Sequence, residues 1–154
     1  MPLRDDRIAE VRAFNRFYTR HLGLLRGGLY GSRFTLAEVR VLRELIFGGG
    51  VTASDIGNAL GMDAAFLSKI LRRFEKNGLV RRSQAKHDGR QKVLTVTARG
   101  RAAFAPLELR ADEQVTALMA SMTASEQSDL VRAMSVVKSL IERAERAPQR
   151  EEAQ

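Results

Sequence analysis

At 154 residues, with 44% apolar and 29% charged side chains, the chain has globular rather than disordered composition and is long enough to bury a core as one domain or one intertwined unit. The absence of cysteine excludes disulfides, thiolate catalysis and thiol redox sensing, and two histidines far apart in sequence, His21 and His87, supply no zinc-ligand set. The formal net charge is +8; no apolar run approaches the roughly 18 residues of a membrane span, and the charged start Met1 to Arg7 is unlike a signal peptide, so a cytoplasmic protein is expected.

The apolar positions Ile8, Val11, Phe14, Phe17, Tyr18, Leu22 and Leu25 predict an amphipathic helix over 5–25, broken at Gly27-Gly28. Thr35, with Glu38 three residues on, is a capping-box start for a second helix through Val39, Leu42, Leu45 and Ile46, stopped by Gly48-Gly49-Gly50. A short helix follows from the cap-like Thr52-Ala53-Ser54-Asp55 to Gly61, and another from Asp63 to Lys76-Asn77-Gly78. Two short helices joined through Gly61 form a helix-turn-helix pattern. The periodicity then changes: Leu79 to Ser83 and Lys92 to Thr97 read as strands around a polar turn containing Asp88-Gly89. Beyond Thr97 a helix reaches about Ser121, with Pro106 expected to kink or break it. A last helix opens on the capping box of Thr123 and Glu126 and carries Leu130, Met134, Val137, Ile141 and Ala144, a spacing suited to packing against another helix. The tail from Pro148 to Gln154 is polar.

The positive charge is concentrated. Between Ser68 and Arg101 lie Lys69, Arg72, Arg73, Lys76, Arg81, Arg82, Lys86, Arg90, Lys92, Arg99 and Arg101, opposed only by Glu75 and Asp88, which leaves the remaining chain close to neutral. Such a block on a neutral body is the footprint of polyanion binding; a basic face kept for solubility would more often be interspersed with acids. In the helix from Asp63, Leu67, Ile70, Leu71 and Phe74 share one face, and Ala65, Lys69, Arg72, Arg73 and Lys76 lie opposite, with Ser68 flanking them. That is the pattern of a major-groove helix: a small residue permits close approach, and cations meet phosphates and guanine edges. Lys86 and Arg90 bracket the hairpin tip, where an arginine can enter a narrow minor groove. The bland alternative is a solvated hairpin whose Asp-Gly only makes the bend.

Leu60-Gly61-Met62-Asp63 and the run Leu67 to Arg82, then Asp88-Gly89-Arg90 and Val96-Thr97-Ala98-Arg99-Gly100-Arg101, resemble the recognition helix, wing and following helix of the MarR family of transcriptional regulators. Val96 stands where that family usually has Leu. The resemblance covers nearly the whole chain. It implies a mainly α fold with a small β-hairpin wing, a winged helix-turn-helix whose terminal helices form a dimerisation region. The division is 1–34 as N-terminal dimerisation helix and linker, 35–97 as DNA-binding region, 98–147 as C-terminal dimerisation helices and 148–154 as tail, in one intertwined unit. It further implies a homodimer on double-stranded DNA, a repressor on a pseudo-palindromic operator. By position, Ser68, Lys69, Arg72 and Arg73 would be the recognition-helix contacts, Arg82 a strand cation near the DNA backbone and Arg90 the wing arginine; the helix face adds Ala65 and Lys76, and the hairpin tip Lys86, to the DNA-binding candidates.

A narrower likeness, in Val11 to Arg20 and Ser32 to Arg40, is to the regulator half of proteins that fuse a MarR domain to a GNAT acetyltransferase, so the chain is expected to be a stand-alone relative or a fragment of such a fusion. Many MarR proteins release DNA on binding a small aromatic or anionic effector. Phe14, Phe17, Tyr18 and His21 recur on one helical face, and with Tyr30, Phe34 and Arg40 they make a candidate wall, of which Phe17, Tyr18, His21, Tyr30 and Arg40 are the ligand-site candidates. The same rings would equally serve as dimer-interface core. No catalytic triad, phosphate loop or metal-ligand pattern is present, so neither enzymatic activity nor a cofactor or metal is expected. A sequence-tolerant architectural DNA-binding protein would share the basic block, and is separated from a regulator by its small ratio of specific to nonspecific affinity.

Overall fold

The computed structural model describes residues 5–23, 28–48, 52–86 and 89–147. The order of elements is α1 (Asp5–His21), a 3-10 turn (Leu29–Gly31), α2 (Leu36–Phe47), α3 (Ala53–Leu60), α4 (Ala64–Lys76), β1 (Val80–Gln84), β2 (Lys92–Val96), α5 (Ala98–Ala120) and α6 (Ala124–Arg146). The chain forms two compact units that divide within α5, one ending at Ala111 and the other starting at Asp112.

Local chemistry sets the helix starts. At Thr35, Thr52 and Thr123 the hydroxyl accepts from the backbone N–H three residues on, at 3.3, 3.2 and 3.3 Å, and the acid at that position accepts the threonine N–H, at 2.9, 2.9 and 2.8 Å. The Thr52 and Thr123 hydroxyls also donate to the Asp55 and Glu126 carboxylates, at 2.8 and 2.9 Å, and these two carboxyls are held below their ordinary range, the threonine N–H contributing most and the hydroxyl's donated bond next. Gly61 caps α3 with φ 60°, a left-handed conformation that a side chain disfavours, so the chain can reverse at once into α4.

In the first unit, Val41 and Leu42 of α2, Ile56 of α3, Leu67, Leu71 and Phe74 of α4, and Leu79, Leu94 and Val96 of the hairpin region make one core with Phe104 and Leu107 from the start of α5. The hairpin is antiparallel, with Val80 opposite Val96, Arg82 opposite Leu94 and Gln84 opposite Lys92. Thr97 joins the wing to α5: its N–H donates to the Leu79 carbonyl at 3.0 Å, and its hydroxyl accepts from Gly100 N–H at 3.0 Å. Gly100 must lack a side chain here, since a Cβ would stand 2.2 Å from the Leu79 carbonyl oxygen and 2.7 Å from Val96 Cγ1.

In the second unit, Gln127 Nε2 donates to the Met119 and Met122 carbonyls at 2.9 and 3.3 Å, fixing the turn before α6. No residue of α6 is buried, and Met134, Val136, Val137, Leu140 and Ile141 all stand exposed.

Two expectations need correction. The first helix ends at His21 rather than Leu25, because N–H bonds from Leu22 to Tyr18 and from Gly23 to Arg20 close it early; Leu25 lies outside the described residues. Pro106 does not break its helix: α5 runs unbroken from Ala98 to Ala120. Proline leaves the Ala102 carbonyl without its usual partner, but Ala102 and Pro106 are both exposed and water can meet that carbonyl. Gly49, Gly50, the wing-tip pair His87 and Asp88, and the tail Pro148 to Gln154 lie outside the described residues.

Candidate nucleic-acid interface

Helix α4 buries Leu67, Ile70, Leu71 and Phe74 and exposes Ala65, Lys69, Arg72, Arg73 and Lys76, the two faces expected from the sequence. Ser68 is half-buried at their border. Asp63 Oδ1 accepts from Phe66 N–H at 3.0 Å, so the capping carboxylate is committed to the helix. The cations differ in how they are held. Arg72 Nε donates to the Ser68 carbonyl at 3.3 Å, one turn back. Arg73 reaches to α2, where its guanidinium donates to Glu38 Oε1 at 2.7 Å. Glu38 is only 3% exposed, and its other oxygen accepts from Thr35 N–H, so one carboxylate caps α2 and anchors an arginine of α4.

The wing is tied to the same helix. Arg82 of β1 donates through Nε and a terminal nitrogen to both oxygens of Glu75, at 3.0 and 3.2 Å. This bidentate pair fixes the strand against α4. Lys86 and Arg90 are exposed on either side of the hairpin tip, and the Ala85 N–H bond to the Gln91 carbonyl at 2.8 Å carries the pairing beyond the strands. Lys69, Arg72 and Lys76 have no carboxylate within ion-pair distance among the described residues.

The structural roles of Glu38 and Glu75 were not visible in the sequence. Glu38 was readable as a capping acid, but nothing in sequence spacing connects it with Arg73. Phe66 was also missed. It stands 48% exposed beside the cations in the first turn of α4, and the signal for it was an aromatic residue falling outside the buried stripe.

Of the candidate ligand residues, the structure brings Phe17, Tyr18 and His21 together. With Phe14 they form a stacked ladder on α1, with centroid distances of 5.6 Å for Phe14 and Tyr18 and 6.2 Å for both Phe17 and Tyr18 to His21. Arg16, Phe17 and Arg20 line a common open groove. Tyr30 and Arg40 lie on other elements. Tyr30 occupies the 3-10 turn with φ 54°, its carbonyl accepting from Arg110 at 2.8 Å, and Arg40 is exposed on α2. Phe34 belongs to the core instead, edge-on to Phe74. Among the described residues no cluster of acids and histidines could hold a metal ion, and no helix is long and apolar enough to cross a membrane.

A helix-turn-helix with an exposed cationic second helix, followed by a basic hairpin, defines a winged-helix protein. Residues 34–91 match the model of the MarR family. Among solved structures, the fold is similar to Streptococcus pneumoniae FabT in complex with DNA, at 20% identity over 90% of this chain and 98% of that one with a TM-score of 0.75. It is also similar to a mutant MarR from E. coli complexed with operator DNA, at 22% identity, 89% and 99% coverage and a TM-score of 0.70. A third is the PcaV regulator of Streptomyces coelicolor with its natural ligand, at 21% identity, 90% and 98% coverage and a TM-score of 0.67. No match was found among curated protein sequences. Residues 34–91, which hold the helix-turn-helix and most of the hairpin, are thus similar to the MarR family, and the fold of the chain is like that of the solved regulators it matches.

Proposed function

We propose that the protein is a transcriptional repressor that binds a pseudo-palindromic DNA duplex as a homodimer, with α4 in the major groove and the hairpin in the minor groove. The observation that carries this reading is the cationic face of α4, where Lys69, Arg72, Arg73 and Lys76 are all exposed opposite a fully buried stripe. Ala65, Ser68, Lys69, Arg72 and Arg73 are assigned to the groove, Lys76, Arg82 and Lys86 to phosphates, and Arg90 to the minor groove. FabT in complex with DNA and MarR with operator DNA, among the similar structures, support the assignment.

Homodimerisation, assigned to 1–34 and 98–147, is supported by the apolar side chains that the single chain leaves exposed. They include Ile8, Val11, Phe14 and Phe17 on α1, and Met134, Val137 and Ile141 on α6, more than isolated surface residues account for. An effector site is assigned to the aromatic ladder of α1, where Arg16 and Arg20 share a groove with Phe17 and suit a small aromatic anion; PcaV with its natural ligand supports this.

Selection of bound sites from a random duplex pool, with sedimentation of the free protein and of its complex, tests the proposal. The expected outcome is a two-fold-related site with half-sites about one helical turn apart, bound by a dimer. A persistent monomer, or binding without sequence preference, would overturn it.

A further inference from the structure

Whatever enters a groove first along α4 must be read by its first turn, and that turn has almost no hydrogen-bonding chemistry to offer. Ala64 and Ala65 carry only methyl groups, and the Asp63 carboxylate is already used on Phe66 N–H. The one large side chain left is Phe66, 48% exposed although its neighbour Leu67 is buried in the core. At 100° per residue it lies about 20° around the helix from Arg73, about 60° from Lys69 and about 40° from the buried Ile70, so the exposed ring stands at the edge of the cationic arc, where it meets the buried stripe. Aromatic side chains on helices also lean toward the N-terminus, the end of a recognition helix that goes deepest.

An exposed aromatic ring at the edge of a cationic face costs solubility unless it meets an apolar surface. In the major groove of DNA the apolar group that base pairs display is the C5-methyl of thymine. We infer that Phe66 is a specificity-determining residue that packs on a thymine methyl in each half-site. This rests on the proposed placement of α4 in the major groove and deepens it, giving the first turn a base preference that none of its hydrogen-bonding groups could supply.

The test uses the full-length protein and the duplex selected from the random pool. Thymines are replaced one position at a time by deoxyuridine, which removes the methyl and keeps the base-pairing and groove hydrogen-bonding groups. For the unmodified protein, one thymine in each half-site should lose about fourfold in affinity, the worth of one buried methyl-sized group, and about 16-fold when both half-sites are changed. Phe66→Ala should bind the thymine and deoxyuridine duplexes equally, while Phe66→Leu should keep part of the discrimination. Because the ring is exposed, both variants should melt with the parent protein, which separates a reading role from a structural one. Equal responses of parent and Phe66→Ala to every replacement would overturn the assignment and leave the regulator reading intact. Failure to select any preferred duplex would overturn both.

Discussion

The Arg73 and Glu38 pair makes a prediction that sequence reasoning would not. By sequence, Arg73 is one of several exposed cations on α4, and its removal should matter only to a polyanionic partner. In the structure its loss strands a carboxylate that is 3% exposed. Breaking a fully buried pair by removing one partner costs about 3–5 kcal/mol. Here the Arg73 side chain is 55% exposed, so water screens the pair, and the remaining Glu38 oxygen keeps its bond to Thr35 N–H. The cost of Arg73→Ala is therefore about 2 kcal/mol. For a chain of this length that lowers the melting temperature by about 4–8 °C. Lys76→Ala on the same helix should change stability by less than about 0.5 kcal/mol. Glu38→Gln keeps an oxygen for the cap but removes the charge, so the double variant Arg73→Ala with Glu38→Gln should be more stable than the sum of the single effects implies. Thermal and urea unfolding of the parent and these four variants decides the matter. Equal melting of Arg73→Ala and Lys76→Ala, or strict additivity in the cycle, would refute the anchoring role.

Gly100→Ala places a Cβ into the Leu79 carbonyl oxygen and Val96, and should destabilise by about 1–3 kcal/mol through displacement of the wing from α5, measured by urea unfolding. Thr123→Ala removes the hydroxyl bond to the Glu126 carboxylate but keeps the backbone N–H bond, the larger of the two that depress it, so in an NMR titration its pKa should rise only part of the way toward the ordinary 4.5; a carboxyl with a depressed folded value contributes stability above 4.5 that is lost as the pH falls through the folded pKa, and the variant should show less of that loss. Lys69→Ala should relax preference at a defined base pair and cost roughly 1–3 kcal/mol on the selected duplex, whereas Lys76→Ala should weaken all duplexes alike and reduce the log-log salt slope by about one unit. Identical losses for both on selected and scrambled duplexes would make α4 an electrostatic clamp.

Features written in local chemistry were legible in the sequence. The capping boxes at Thr35, Thr52 and Thr123, the glycine reversal at Gly61 and the buried stripe of α4 each depend on residues within one or two turns of each other. The same locality explains the error at Pro106. A proline disfavours helix interiors on average, but its cost falls where the carbonyl it orphans is exposed, and the sequence alone does not locate that carbonyl. Glu38 and Arg73 are separated by 35 residues, and Arg110 and Tyr30 by 80. Their meeting depends on how whole helices pack, which no periodicity encodes. The ligand candidates divide on the same principle: Phe17, Tyr18 and His21 share one helix and stack, while Tyr30 and Arg40 belong to other elements whose placement the spacing could not fix.

The basic block therefore contains two kinds of cation. Arg73 and Arg82 have carboxylate partners inside the fold, so each pair is close to neutral at a distance and adds little to the long-range attraction of a polyanion. What the pairing fixes is direction: a guanidinium held by Glu38 or Glu75 presents its other N–H donors from a set position on the fold. Lys69, Arg72 and Lys76 have no such partner among the described residues, so they carry the field that draws a duplex in. Under the proposed function, attraction and register are thus assigned to different side chains of one helix and wing. Salt weakens the first group strongly and the second much less. A surface that used all its arginines as free charges would bind more tightly to any duplex, and would have less to hold α4 at one angle in the groove.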